Sequence, residues 1–274
     1  MALTNNNQER ILVTGADGFL GSWLTRRLLK KNVQIRVFGR NFRRLQLMLG
    51  KDFNHLEVVE GNLLDQSVVE KAVSGCRHVF HLAAVTGRQN VEAHPIDCLN
   101  TNLLGTKLLV ENSRLAGVES FIFTSSIEVE RRPMTVYGIS KLGGEAYVRY
   151  GLEESDSKYL ILRLANTFGP GQSDDYVIPI FINKILKGEN LVINQSYIRP
   201  YVFVEDMIEK ITNLSDRANN QKLEVVCGQK PVSVSYLADK IKKILNGKRP
   251  KTNFEKNLTK TIDYYRQQSS SEKC

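Results

Sequence analysis

The sequence predicts an α/β protein: a doubly wound parallel sheet followed by a smaller C-terminal lobe. Three observations carry that reading. Short apolar runs alternate with amphipathic stretches through roughly the first 170 residues, the pattern of a sheet covered by helices on both faces. Three evenly spaced glycines, Gly15, Gly18 and Gly21, join the first run to the first amphipathic stretch. After about Pro170 the alternation gives way to shorter apolar pieces mixed with helices.

The elements follow in order. "RILVTG" reads as a buried strand and "LGSWLTRRLLKKN" as a helix. "VQIRVFGR" is the second strand and "HLEVVEGNL" the third. "DQSVVEKAVSGC" is a helix with Asp65 at its N-cap, where a side-chain oxygen takes up free backbone N–H groups. "HVFHLAA" is the fourth strand, and "NTNLLGTKLLVENSRLAG" a helix closed by Gly117. "SFIFTSS" is the fifth strand, "GISKLGGEAYVRYGLEE" a helix, and "KYLILRLANTFGPG" a sixth strand running into a loop. Right-handed crossovers between parallel strands then give the doubly wound arrangement. In the C-terminal part, "VIPIFINKILKG" and "VSVSYLADKIKKILNG" read as helices and "ENLVI" and "YVFVEDM" as short apolar pieces, while the polar "RQQSSSEKC" reads as a frayed end.

The glycines suit a dinucleotide. Gly15 permits the tight turn leaving the strand, Gly18 lets backbone approach a pyrophosphate, and Gly21 lets the helix pack on the strand. The helix N-terminus then aims its N–H groups and positive dipole end at the phosphates. The domain boundaries expected on this reading are 8–170 for dinucleotide binding, 171–265 for a smaller substrate lobe, and 266–274 for a disordered tail.

An NAD-preferring site usually ends its second strand with an acid that holds the ribose hydroxyls. Here Arg40 stands at that end, with Arg43 and Arg44 close behind. Such a cluster can hold a 2′-phosphate, with no carboxylate to repel it. NADP is therefore favoured over NAD, the alternative being a solvated helix start.

"TVYGISKLGGE" carries Tyr137 and Lys141 at i and i+4, on one helix face. A nearby ammonium favours the phenolate, and a phenol so tuned exchanges a proton with a sugar hydroxyl or ketone near neutral pH. Hydride exchange with a nicotinamide accompanies it. Ser126, ending the fifth strand, can hydrogen-bond the same oxygen.

These motifs, with "TGADGFLG", "GNLLD", "VFHLAA", "NTNLLGT", "FIFTSS", "YGISK", "LRLANTFGPG" and "IRPYVFVED" in order, make the chain resemble an extended, Rossmann-type short-chain dehydrogenase/reductase of the NAD-dependent epimerase/dehydratase family over roughly residues 10–245. The resemblance implies that Gly15, Asp17, Gly18, Phe19, Leu20 and Gly21 line the cofactor together with Arg40. It implies that Asn62 and Leu63 flank the adenine, and that Leu82, Ala83, Ala84, Leu164 and Ala165 line the nicotinamide side. Asn102 and Thr124 complete the cofactor set. Ser126, Tyr137 and Lys141 would be catalytic, the latter two also touching cofactor. Thr86, Ser126, Asn166 and Arg199 would meet a nucleotide-activated sugar, Asn166 and Arg199 at its diphosphate, whose oxygens match a guanidinium fork. A homodimer is implied too.

The sequence departs from the family pattern in places. Only 11 positions separate Ser126 from Tyr137, a shorter loop than usual. Glu130 stands where a tyrosine is common, and Pro200 follows Arg199 in place of Asp. Related sugar 4,6-dehydratases carry Asp-Glu after the catalytic hydroxyl; here Ile127 takes the Asp position and Glu128 remains. That puts water elimination in doubt and leaves Glu128 either catalytic or structural. The functions in competition are an NDP-sugar epimerase/dehydratase-type enzyme, an NADPH-dependent reductase of an NDP-4-keto sugar, and a non-catalytic dinucleotide sensor; retention of the Tyr/Lys pair disfavours the last.

Composition narrows the remainder. A net charge of +9 fits a basic surface or phosphate-bearing ligands, and no nucleic-acid motif accompanies it. No long apolar run reads as a membrane span, and "MALTNNNQER" lacks a signal-peptide core. Cys76, Cys98, Cys227 and Cys274 form no CxxC pair, and the four histidines have no metal spacing. No metal is expected, His81 reads as a packed strand residue, and a cytoplasmic setting with reduced thiols is expected.

Overall fold

The computed structural model describes residues 9–191, 193, 198–216, 222–226 and 231–271. They form two compact units. One comprises the chain up to Leu164 together with Ile208–Val226, the other Ala165–Met207 and the residues after Val226.

The first unit is a seven-stranded sheet. Strands β1 (Arg10–Thr14), β2 (Gln34–Gly39), β3 (Leu56–Glu60), β4 (His78–His81), β5 (Ser120–Ser126), β6 (Lys158–Leu164) and β10 (Lys222–Val226) lie in the order β10-β6-β5-β4-β1-β2-β3. Every neighbouring pair is parallel. Winding reverses between β4 and β1, so the carboxyl ends of these strands flank the crevice where such sheets bind ligands. Ile11, Leu12, Val13, Phe80, Phe121 and Phe123 are buried, as strands covered on both faces require.

Helices α1 (Phe19–Leu28), α2 (Arg43–Leu49), α3 (Gln66–Val73), α4 (Arg88–Ala93), α5 (Pro95–Leu99), α6 (Gly105–Leu115) and α7 (Val136–Leu152) complete the windings. Asp65 caps α3 by accepting from Ser67 N and Val68 N, as its position predicts. The other end of α3 is capped by a guanidinium: Arg36 Nη1 donates to the carbonyls of Lys71, Ala72 and Ser74 at 3.0, 2.9 and 2.7 Å. Gly117, at φ +67°, closes the turn after α6.

The second unit pairs β7 (Asn166–Phe168) with β9 (Tyr201–Phe203) in parallel, and β8 (Ile198–Arg199) with β11 (Val232–Ser233) antiparallel. Helices α8 (Val177–Leu186), α10 (Val234–Leu245) and α11 (Asn253–Ser271) pack on one another. Phe168 meets the rings of Tyr201, Phe203 and Phe254. Glu255 accepts from Lys240 Nζ and from the amides of Lys251 and Thr252 just before α11, which holds its carboxyl at about 2. Helix α9 (Val204–Asp216) begins in this unit and belongs to the first from Ile208. No helix among the described residues is long and apolar enough to cross a membrane.

Several expectations need correction. The end expected to be disordered from residue 266 continues α11 to Ser271, as an extension of the turns anchored by the buried Leu258, Thr261, Ile262 and Tyr265, and residues 272–274 lie outside the described residues. The sixth strand stops at Leu164, and Asn166–Phe168 pairs in a different sheet. A seventh strand, β10, extends the main sheet, so residues beyond 170 return to the first unit. The helix expected from Asn100 opens with a π-helical turn, Asn100–Leu104, preceded by two short helices. Cys76 and Cys98 are buried and free; Cys227 and Cys274 lie outside the described residues, as does part of "ENLVI".

Candidate active site

The glycine turn is set by close packing. Gly15 adopts φ +68°, and a Cβ there would fall 2.7 Å from both Ala83 N and Ala83 Cα. A Cβ on Gly21 would fall 2.0 Å from Gly15 O. Gly18 precedes α1 and provides no side-chain cap, and no acid occupies the first helical turn. The uncapped helix end therefore keeps its N–H groups and dipole available to an anion. A cradle that side chains would fill, with no carboxylate in that helical turn, fits a dinucleotide pyrophosphate held by Gly15–Gly21 backbone.

The Asp17 carboxylate turns toward the end of β2, where Oδ2 accepts from Arg40 N at 3.1 Å. The expectation that no carboxylate stands near this end is thus corrected: the acid comes from the glycine turn. Arg40 and Arg43 are exposed, while the Arg44 guanidinium lies 5.9 Å from the Phe19 ring centroid. Leu20 is half-buried on the first turn of α1.

The loop after β4 is fixed by a directional hydrogen-bond chain. Ala83 N donates to Thr14 Oγ1 at 3.2 Å, and Thr14 Oγ1 lies 2.7 Å from His81 Nδ1. His81 Nε2 lies 2.9 Å from Thr106 Oγ1, which donates to Asn102 O at 2.6 Å. The Thr106 hydrogen is committed to Asn102, so His81 Nε2 must donate and Nδ1 must accept. The imidazole is neutral, and its complete burial holds its pKa well below the usual histidine range. His81 is a packed residue, as its sequence position suggests.

Asn102 is 1% exposed. Its Oδ1 accepts from Val85 N at 2.7 Å; its Nδ2 donates to Val85 O and Ser140 Oγ, both at 3.0 Å. This amide clamps the backbone of Val85, its polar atoms turned to the protein itself. Thr124 likewise faces inward, donating to His81 O at 3.1 Å. Leu63 is buried against the position of Gly105, and Asn62 is exposed with Oδ1 bound by Leu64 N. Leu82, Ala83 and Ala84 are half-buried, and Thr86 is exposed.

Ser126 ends β5 and caps the following 3₁₀ turn: its Oγ accepts from Glu128 N at 3.2 Å, which leaves its own hydrogen to donate. Thr135 caps α7 by accepting from Gly138 N at 3.0 Å. A Cβ at Gly138 would lie 2.8 Å from Glu128 O, so the short loop presses directly on the first turn of α7. Tyr137, half-buried, rides on that turn. Lys141, one turn on, is only 2% exposed, with its ammonium 4.7 Å from the Phe123 ring centroid. Burial brings it down to about 8, opposed by the Cys98 thiol and by Glu145. The Glu128 carboxylate pairs with Arg131 at 3.2 Å.

Sequence reasoning missed one buried charge cluster. Glu145, fully buried, accepts from Ser125 Oγ at 2.5 Å and from Arg163 Nε and Nη2 at 2.8 and 2.7 Å. Arg163 also donates to Glu130 at 2.9 Å. The signal was present: Glu145 continues the i, i+4 row of Tyr137 and Lys141, so an acid falls on the buried helix face.

Leu164 and Ala165 are buried at the end of β6. Asn166 opens β7, and Arg199 closes β8 opposite Val232; both are half-buried in the second unit.

A glycine-cradled helix N-terminus beside a switch point, and a helix bearing Tyr137 and Lys141 next to Ser126, define a dinucleotide enzyme of the extended short-chain dehydrogenase/reductase class. The profile of the NAD dependent epimerase/dehydratase family matches residues 11–228, and the chain belongs to that family. A putative UDP-glucose 4-epimerase of Methanocaldococcus jannaschii is 30% identical over 262 residues, covering 85% of this chain and 81% of that one. A UDP-N-acetyl-alpha-D-glucosaminuronate decarboxylase of Bacillus cytotoxicus is 24% identical, covering 85% and 79%. The crystal structure of Thermus thermophilus UDP-glucose 4-epimerase in complex with NAD superposes with a TM-score of 0.76 at 25% identity, covering 94% and 99%.

Proposed function

We propose that this enzyme exchanges hydride at C4 of a nucleotide-activated sugar, with Tyr137 as acid and base and NAD retained through an epimerisation. The observation that carries the reading is Lys141: a buried cation one helical turn from a phenol, on the helix that faces the end of β5. Burying an ammonium is costly, and a charge kept there acts on its neighbours through a poorly screened medium. It favours the Tyr137 phenolate, which takes the C4 hydroxyl proton and later returns one. Ser126 donates to the same oxygen, since its lone pair already serves Glu128 N. Bound nicotinamide supplies the hydride acceptor. Asn166 and Arg199 are proposed to hold the diphosphate.

Water elimination is not part of the proposal. Ile127 cannot donate a proton, and the Glu128 carboxylate is engaged by Arg131. The reductase alternative drew on the short chain and on Arg40 for NADPH, and the Asp17 carboxylate bonded to Arg40 N weighs against a 2′-phosphate at that place. We also propose a second copy of the chain as partner. Ile139, Leu142, Ala146 and Tyr150 are exposed along one face of α7, and Tyr150 is 79% exposed, an apolar stripe of the kind that marks an interface.

The test is Tyr137→Phe. Turnover of UDP-hexoses should fall by about 10²–10⁴-fold or more, while NAD affinity stays within about twofold because the phenol oxygen alone is removed. Turnover equal to wild type would refute Tyr137 as the acid–base group.

A further inference from the structure

We infer that Asp17, from the glycine turn, is the carboxylate that makes this enzyme select NAD over NADP. The inference rests on the dinucleotide reading and adds a specificity residue to it.

Doubly wound dinucleotide sites hold the adenosine ribose at the carboxyl end of the second strand, usually with an acid at that end. Here β2 ends in Gly39, which has no side chain to offer. An ideal Cβ on Gly39 would fall 2.5 Å from Asp17 Oδ1, 2.7 Å from Cγ and 3.2 Å from Oδ2. The Asp17 carboxylate thus occupies the space in which a side chain at position 39 would begin. A side chain at position 39 would therefore have to displace the Asp17 carboxylate from its present place.

The carboxylate is also anchored. Arg40 N donates to Oδ2 at 3.1 Å, so one oxygen is fixed to the strand end and Oδ1 retains its accepting capacity toward a ligand. Ribose hydroxyls are donors and suit it. A 2′-phosphate has only acceptors and negative charge, and a fixed carboxylate beside it is repulsive. The opposing influence is the Arg40 guanidinium, with Arg43 behind it. Both side chains are exposed, so water and salt weaken their pull on a phosphate. Arg44 is drawn to the Phe19 ring. The half-buried, anchored carboxylate is screened less by water and salt than the two solvated guanidiniums.

The experiment measures dissociation constants of NAD and NADP for the full chain by calorimetry, after stripping any copurified dinucleotide. Wild type should bind NAD at least about tenfold more tightly than NADP, as expected of a phosphate placed beside a like charge. Asp17→Asn keeps an oxygen for Arg40 N but loses the charge; its preference should collapse, mainly through tighter NADP binding. Asp17→Ser serves the same end if the Asn variant unfolds. The double variant Asp17→Ala with Gly39→Asp moves the carboxylate to β2 and should restore the preference, an outcome that loss of a merely structural contact would not produce. Equal or tighter NADP binding by wild type, or an unchanged ratio in both single variants, would overturn the inference while leaving the dinucleotide site intact. Absence of binding to either dinucleotide in wild type would instead bring down the cofactor reading, and this inference with it.

Discussion

Replacing Lys141 with Met should abolish turnover and yet make the protein more stable. Lys141 ionises at about 8 in the folded chain against 10.5 for an ordinary lysine. Roughly two and a half pH units at about 1.4 kcal/mol each set an upper bound of about 3 kcal/mol on the cost of keeping the ammonium in place. The folded state binds its proton less tightly than the unfolded state. The penalty is therefore complete below pH 8 and fades as pH rises from 8 through 10.5. It is about 3 kcal/mol at pH 7 and about 1 kcal/mol at pH 9.5. Loss of the ammonium's contact with the Phe123 ring offsets about 1 kcal/mol of the gain. Methionine fills much of the same volume with no charge. The net expectation at pH 7 is about 2 kcal/mol of added stability, or a Tm higher by about 4–8 °C for a unit of this size. Thermal denaturation followed by circular dichroism at pH 7 and pH 9.5 reads it, with the gain smaller at the higher pH. A Tm at pH 7 equal to or below wild type would show that Lys141 is not held against a desolvation cost, and the argument for its action on Tyr137 would lose its basis.

Gly21→Ala should destabilise the fold and raise the NAD dissociation constant at least about tenfold, because its Cβ lands 2.0 Å from the Gly15 carbonyl oxygen. That backbone clash, about 1–3 kcal/mol or more, outweighs the roughly 1 kcal/mol by which alanine improves a helix; a stable variant with wild-type NAD affinity, measured by calorimetry, would contradict it. Light scattering should give a mass twice the 31.1 kDa chain, and Ala146→Arg on the exposed stripe of α7 should halve it; a monomeric wild type would remove the second-copy proposal.

How much could be read without coordinates depended on where the information resides. The first strand, glycine turn and first helix were legible because each is decided locally, by apolar runs and by residues that alone tolerate the backbone. The capping role of Asp65 was legible for the same reason. β10 was not, since its place beside β6 is a pairing across 62 residues, Lys222 with Leu160, that "KLEVV" does not announce. The end of α11 was read as frayed from the polar "RQQSSSEKC", although it continues a helix in which Leu258, Ile262 and Tyr265 recur at helical spacing and are buried. At the site, the motifs place residues on their elements but do not give the directions of their polar atoms. Asn102 and Thr124 fall where the motifs put them, yet their polar atoms face the protein's own backbone. Sequence spacing fixes the position of a residue on an element; packing decides which way its hydrogen bonds go.

That distinction explains why the most demanding chemistry of this chain lies beneath the visible motif. Lys141, Glu145 and Arg163 place alternating charges inside one unit, and Glu145 answers both cations while holding Ser125, the residue before Ser126. Charges this deep add little net stability even when paired, and Lys141 costs some outright. Apolar residues at positions 141 and 145, like Val148 and Leu152 further along the same face, would make a firmer core. Their absence is intelligible if the helix must hold a phenol and a cation at fixed height beside a serine, with the counter-charge supplied from below. The neutral His81 chain does the same for the adjoining loop without charge. Buried polar and charged groups gather by the ends of β4 and β5, next to the point between β4 and β1 where the sheet reverses its winding, and that concentration is the physical mark of the site.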